Sequence, residues 1–239
     1  MSGHSKWSNI KHKKGAADAK RAANFTKLAR EIEVAAREKG GDPDMNFKLR
    51  LAMDRARAAN MPKDNIDRAV ARGAGSDNVS NMEELVYEAY APGGTALIIE
   101  AITDNRNRTG GEIKLVLSKN GATFANQGAV TYLFDQKGVL RAEPIPENKR
   151  DEVELELIDA GAEDIVHDQD ASIVLAPPAE LSSLNESALK AGIKAVSAGL
   201  EWIPKTTIAV NDESGAKLRE IIEKLEDLDD VTNVFTNAD

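Results

Sequence analysis

Eight cations stand in the first thirty residues, at a spacing suited to phosphate contact. Lys6, Lys11, Lys13, Lys14, Lys20, Arg21, Lys27 and Arg30 face a single acid, Asp18, in a chain of 239 residues whose net charge is −9. Cations this close together neutralise successive phosphates and release counterions, whatever the base sequence. Trp7 lies among them and offers a ring on which a base can stack. His12 sits in the same run, "KHKK". The candidate nucleic-acid contacts are therefore Lys6, Trp7, Lys11, His12, Lys13, Lys14, Lys20 and Lys27. The competing reading is a solvated basic tail, which would leave Trp7 without a partner.

A second cluster is "TDNRNRTGGEIK", where Arg106 and Arg108 precede a helix expected to begin near residue 111. Free N–H groups and the dipole at a helix N-terminus favour anions, and two arginines can add bidentate phosphate contacts. Both side chains leave a polar loop, so replacing them should not disturb the fold. The competing reading is a solvated loop in which Asp104 or Thr109 caps the helix.

Enzyme chemistry has little to work with. The three histidines, His4, His12 and His167, form no HExxH spacing, and no GxGxxG or GK[ST] phosphate loop occurs. The absence of cysteine excludes disulfides, thiolate catalysis and cysteine-ligated zinc, and it fits a reducing cytoplasm. Ser2-Gly3-His4 would form a planar copper or nickel chelate if Met1 were removed, but the tripeptide reads as incidental. No cofactor, no metal site and no small-molecule substrate are expected.

These residues need elements to hold them. Residues 1–72 carry a net +8 and the remainder −17, a division that implies a basic module on an acidic body. Residues before 16 show no apolar periodicity and read as an arm. From 16 to 39, Phe25, Leu28, Ile32 and Ala36 recur at helical spacing, with Lys20 and Lys27 along one line that leaves a basic face once the apolar side has docked. Helices over 46–60 and after Pro62 complete a three-helix bundle. Two strands with a "PGG" hairpin follow from Glu83, then a helix over 111–119 and a strand near 130–134. The stretch 139–203 reads strand, helix, strand, strand, helix, strand, the ferredoxin-like split unit. A helix near 213–230 and the strand "VTNVFTN" close the chain.

The fold class expected is multidomain α+β: an N-terminal three-helix bundle followed by two ferredoxin-like α+β domains, one inserted in the other. The boundaries are 1–78 for the arm and bundle, 79–132 plus 206–239 for the outer domain, and 133–205 for the insert. No apolar run reaches the ~18 residues of a membrane span, so no membrane partner is expected.

Four blocks, "GHSKWSNIKHKKGAADAKRAANFTKLAREI", "GGDPDMNFKLRLAMDRARAANMPKDNIDRAV", "YEAYAPGGTALIIEAITDNRNRT" and "LEDLDDVTNVFTN", resemble the YebC/PmpR family. That family includes the mitochondrial translational activator of cytochrome oxidase subunit one. The resemblance spans nearly the whole chain. It implies three domains, no enzyme activity, and one of two roles: DNA-binding regulation of transcription, or action in translation at the ribosome.

The expected protein is a cytoplasmic, non-catalytic, nucleic-acid-binding regulator of gene expression. Ribosomal RNA is preferred over promoter DNA, because the charge sits in an irregular arm and not on a groove-reading helix. Ribosomal proteins are a further partner. The alternatives are a DNA-binding transcriptional regulator and a protein–protein adaptor that uses the acidic domains as its platform.

Overall fold

The structure is a computed structural model that describes residues 18–75, 82–168 and 171–239, with side chains from residue 24 onward. It divides into two compact units, Met1–Phe134 with Pro204–Asp239, and Asp135–Ile203.

The first unit opens with α1 (Asp18–Lys39), α2 (Phe47–Ala58) and α3 (Lys63–Ala74). Their apolar residues recur every three or four positions and meet in one core, with Leu28, Ile32 and Ala36 against Leu49, Met53, Ala56, Ile66 and Ala69. Burying side chains such as Ile32 and Leu49 stabilises the bundle by about 1.5–3 kcal/mol each. Asn46 caps α2 by accepting from the Leu49 N–H at 3.1 Å, and its amide donates to the carbonyls of Ala35 and Gly40. Gly73 permits the close approach of α3 to α1, since a Cβ there would stand 2.2 Å from the Glu33 carbonyl oxygen.

The same unit continues as an α+β layer. Strands β1 (Glu83–Ala91) and β2 (Thr95–Thr103) pair antiparallel from Glu83 opposite Thr103 to Ala91 opposite Thr95. The turn between them needs Gly93 at φ +84°, a left-handed conformation that glycine adopts readily. Helix α4 (Arg106–Lys119), β3 (Thr123–Ala125), α7 (Asp212–Glu226) and β8 (Val231–Thr236) complete the layer in the order β3-β1-β2-β8. Side chains alternate across a strand. Ala89, Leu97 and Ile99 face α4 and α7, where Ile113, Leu117, Leu218, Ile221 and Leu225 close the core. Glu88, Tyr90 and Ile98 point to the other face. The β1–β2 hairpin forms the middle of this sheet, so its connectivity is β-β-α-β and then α-β.

The second unit contains most of β4 (Phe134–Ala142), then α5 (Arg150–Asp159), β5 (Asp164–His167), β6 (Ser172–Ala176), α6 (Leu181–Lys190) and most of β7 (Ala195–Pro204). Its strand order, β5-β6-β4-β7, is that of the split β-α-β-β-α-β unit. Ser183 and Ser187 of α6 donate to the carbonyls of Ala160 and Glu156, which sets the two helices antiparallel.

Three local expectations need correction. The strand expected near 130–134 is a 3-10 turn, Thr131–Leu133, leading into β4, which runs from Phe134 through exposed Asp135 and Gln136. The strand that follows α4 and pairs with the outer edge of β1 is the three-residue β3, too short for any periodicity to register. Helix α4 begins at Arg106, five residues earlier than expected, because Asn105 caps it by accepting from the Arg108 N–H at 3.1 Å. The cap is neither Asp104 nor Thr109.

Candidate nucleic-acid interface

Lys6, Trp7, Lys11, His12, Lys13 and Lys14 lie outside the described residues, as does the side chain of Lys20 in α1. Residues 1–23 carry +5 of the +8 in residues 1–72. The other cations of the helical head are largely paired. Arg55 meets Glu31 at 3.1 Å, Arg72 meets Glu33 at 3.1 Å, Arg57 meets Asp54 at 2.6 Å, and Lys48 bridges Glu38 and Glu84.

Lys27 does not present an open basic face. Its Nζ donates to the carbonyl of Glu226 at the C-terminal end of α7, where free carbonyls and the helix dipole favour a cation. Burial lowers the pKa of this ammonium, and the nearby carboxylates of Glu226, Asp229 and Asp227 offset part of that effect. One turn on, the Arg30 Nη1 donates to Asp230 Oδ1 at 2.7 Å and to the Asp229 carbonyl at 2.8 Å. Docking of the helical head on the outer domain thus uses the lysine expected to touch phosphate.

Arg108 is tied down as well. Its Nη2 donates to Asp230 Oδ2 at 2.8 Å and to Asp104 Oδ1 at 2.9 Å. Asp230 is 3 % exposed. Its Oδ2 also accepts from Thr109 at 2.6 Å and Thr103 at 3.0 Å. One carboxylate therefore joins α1, the end of β2, the first turn of α4 and the residue before β8. Burial pushes its pKa up, but the hydrogen bonds from Thr109, Arg108 and Thr103 and the charge of Arg30 outweigh it and hold the value below the ordinary one. Arg108 is therefore not the free loop arginine that was expected, since it is one of the partners of a buried carboxylate. Arg106 is different. It is exposed in the first turn of α4, where a cation opposes the helix dipole, and it has no ion pair among the described residues.

Asp230 was not found from the sequence. In "EDLDDV" nothing local separates it from Asp227 and Asp229, and its partners lie up to 200 residues away.

One arrangement has the outline of a catalytic relay. His167 Nδ1 lies 3.0 Å from Ser172 Oγ, and its Nε2 lies 2.8 Å from Glu154 Oε1. Ser172 is fully buried and already accepts from the Ile145 N–H at 3.1 Å. No carbonyl of a substrate can reach that oxygen. The three side chains join α5 to the β5–β6 hairpin. Among the described residues no His/Asp/Glu group could hold a metal ion, and no helix is long and apolar enough to cross a membrane.

A helical head on one α+β layer, followed by a second α+β layer of split β-α-β-β-α-β type, defines a three-domain class of protein. Residues 5–76 match the TACO1/YebC protein N-terminal domain and residues 82–238 match the TACO1/YebC second and third domain, so the chain belongs to the TACO1/YebC family. It is 49 % identical over 241 residues to the transcriptional regulatory protein PmpR of Pseudomonas aeruginosa, covering all of this chain and 96 % of that one. It is 45 % identical over 239 residues to a "probable transcriptional regulatory protein" of Caldanaerobacter subterraneus, covering 98 % of it. A crystal structure of a conserved hypothetical protein from Aquifex aeolicus superimposes with a TM-score of 0.88 at 39 % identity, over 98 % of this chain and 97 % of that one. The chain is a non-catalytic member of a family of regulators.

Proposed function

We propose that the protein is a cytoplasmic DNA-binding regulator of transcription that grips the phosphate backbone with its basic N-terminal arm. The observation that carries this reading is the division of charge, +8 in residues 1–72 against −17 in the rest. Only one end of such a molecule is attracted to a polyanion. The pairing of the helical head's cations supports the arm, with Lys6, Trp7, Lys11, His12, Lys13 and Lys14, as the contact, and Lys20 of α1 beside it. Arg106 is a second contact, while Lys27 and Arg108 serve the fold. The relatives are named as transcriptional regulatory proteins, which favours promoter DNA over ribosomal RNA and reverses the order expected from the arm alone.

Crosslinking in growing cells, with both bound DNA and bound RNA sequenced, tests the target. Discrete promoter peaks are expected. Ribosomal RNA crosslinks and comigration with ribosomes, without such peaks, would put the ribosome in the promoter's place. In vitro, the arm's four lysines imply a salt slope of roughly −3.6 on duplex DNA at ~0.9 per phosphate. A protein with Lys6, Lys11, Lys13 and Lys14 changed to alanine should lose most of that slope. Equal slopes for the two proteins would exclude the arm as the contact.

A further inference from the structure

Helix α5 of the second unit is apolar on two sides. Val153 and Leu157 are buried and form its inner side. Leu155 and Ile158 lie roughly opposite them around the helix, and they are 61 % and 55 % exposed. A surface helix buries one apolar stripe, and a second stripe left bare marks a surface that another molecule covers. The stripe runs on toward the edge of the sheet. Glu154 and Ile158 are one turn apart on α5, and Glu154 Oε1 lies 2.8 Å from His167 Nε2 of β5. Ile165 is on the same face of β5 as His167 and is half-exposed. Among the described residues no strand pairs with the outer edge of β5.

The charge around this stripe has one sign. Helix α5 carries Asp151, Glu152, Glu154, Glu156 and Asp159 against Arg150 alone. Asp151 and Glu152 suit the positive end of the helix dipole. Asp159 stands at the opposite end, where a cation is favoured, and the last turn holds no basic residue. This acid does not serve the helix. Asp151, Glu152, Glu156 and Asp159 are exposed and have no ion pair among the described residues. Residues 135–203 as a whole carry six Lys and Arg against fifteen Asp and Glu, a net −9. A second copy of the chain would set these acids against their own kind, and a nucleic acid or an anionic lipid surface would be repelled. A basic helix with apolar residues at the matching spacing satisfies both the stripe and the charge.

We propose that the outer face of α5 is a docking site for a basic amphipathic helix of a partner protein. Its apolar residues pack on Leu155 and Ile158, and its lysines or arginines pair with Asp151, Glu152 and Asp159, which flank them. Helix-on-helix recognition of this kind uses anchors three and four residues apart, the spacing that α5 presents. The site uses no residue of the arm and does not rest on the arm's reading of DNA.

Fluorescence anisotropy with the full-length protein tests the assignment, using a labelled synthetic peptide with leucines every three or four positions and lysines between them. One control peptide scrambles the same residues so that the leucines share no face, and another replaces the lysines with glutamates. The basic helical peptide should bind, and both controls should bind at least tenfold more weakly. Leu155→Ser with Ile158→Ser should weaken binding roughly tenfold, the loss of two partly buried side chains. Asp151→Asn with Asp159→Asn should weaken it at low salt, and the difference should shrink at high salt. Leu189→Ser, at an exposed leucine of α6, should leave it unchanged. Circular dichroism melts of all variants should coincide with the wild type, because each change is on the surface. Methyl chemical shifts of the unaltered protein give a second reading, in which Leu155 and Ile158 should move on titration and Leu189 should not. Absence of binding to the wild type, equal binding of the scrambled peptide, or full affinity in the serine pair would each overturn the proposal. So would shifts at Leu189 without shifts at Leu155 and Ile158. A dimer of the wild type that the serine pair abolishes would put a second copy on this face and overturn it as well.

Discussion

Asp230 and Glu88 are both buried carboxylates in the outer domain, and they do opposite jobs. Asp230 gathers four side chains from three distant elements, among them the charged Arg30 and Arg108. Glu88 gathers three backbone N–H groups from one neighbouring loop. In both cases burial alone would raise the pKa, and hydrogen bonding holds it below the ordinary value instead. The contrast separates two uses of an expensive buried charge. At Asp230 the hydrogen bonds lock domains and termini together. At Glu88 they fix the path of one loop against the sheet.

Breaking the first site should cost more. Asp230→Ala leaves Thr103, Thr109 and Arg108 without their shared acceptor and removes the anchor of Arg30. Urea unfolding should show a loss of about 3 kcal/mol. Proteolysis should find the helical head released from the outer domain before global unfolding. A change below about 1 kcal/mol would mean that the hub is not what holds α1 in place.

Glu88→Gln keeps the shape but turns an amide donor toward backbone donors. Urea unfolding should show a loss of about 2 kcal/mol. The comparison sharpens if stability falls at both sites and the helical head is released only in Asp230→Ala.

Acid should act on both. Each folded pKa lies below its unfolded value of roughly 4. The stabilisation is therefore fully present above that value and is lost as pH falls through the folded one. Urea midpoints measured from pH 6 downward should hold until about pH 4 and then decline, and the decline should be shallower in Asp230→Ala and in Glu88→Gln. Parallel acid limbs in all three proteins would place the titrating groups elsewhere.

Arg108→Ala should lower the melting temperature, while Arg106→Ala should stay within about 0.5 kcal/mol of the wild type and weaken duplex binding. Equal melts for the two variants would remove the distinction between a structural and a functional arginine in one turn.

The smallest effect is expected from excision. The Lys205 N–H donates to the Leu133 carbonyl at 2.9 Å, so the chain leaves and re-enters the outer domain at adjacent points. Replacing 135–203 with a short Gly/Ser linker should leave the outer domain folded, and the excised segment should melt cooperatively by itself. An outer domain without a cooperative transition would refute the insertion.

Much of this architecture was legible. The strands at 164–167 and 172–176 fall where alternation and apolar runs place them, because period and turn residues are local signals. The three-residue β3 was not legible, since its pairing to β1 supplies what its length cannot. The start of α4 lies earlier than expected because its cap is Asn105, between the two candidates Asp104 and Thr109.

The candidate site divides the same way. The sequence by itself determined that a basic segment leads an acidic chain and that the elements form a helical head and α+β layers. Charge and periodicity are sums over neighbours in the chain, so they survive without a fold. Only the tertiary structure decided that Lys27 and Arg108 are tied to partners within the fold, that Arg106 is not, and that Glu88 clamps the loop at 128–131. Each of those outcomes depends on a partner 40 to 200 residues away, and which of several like residues finds it is a matter of packing.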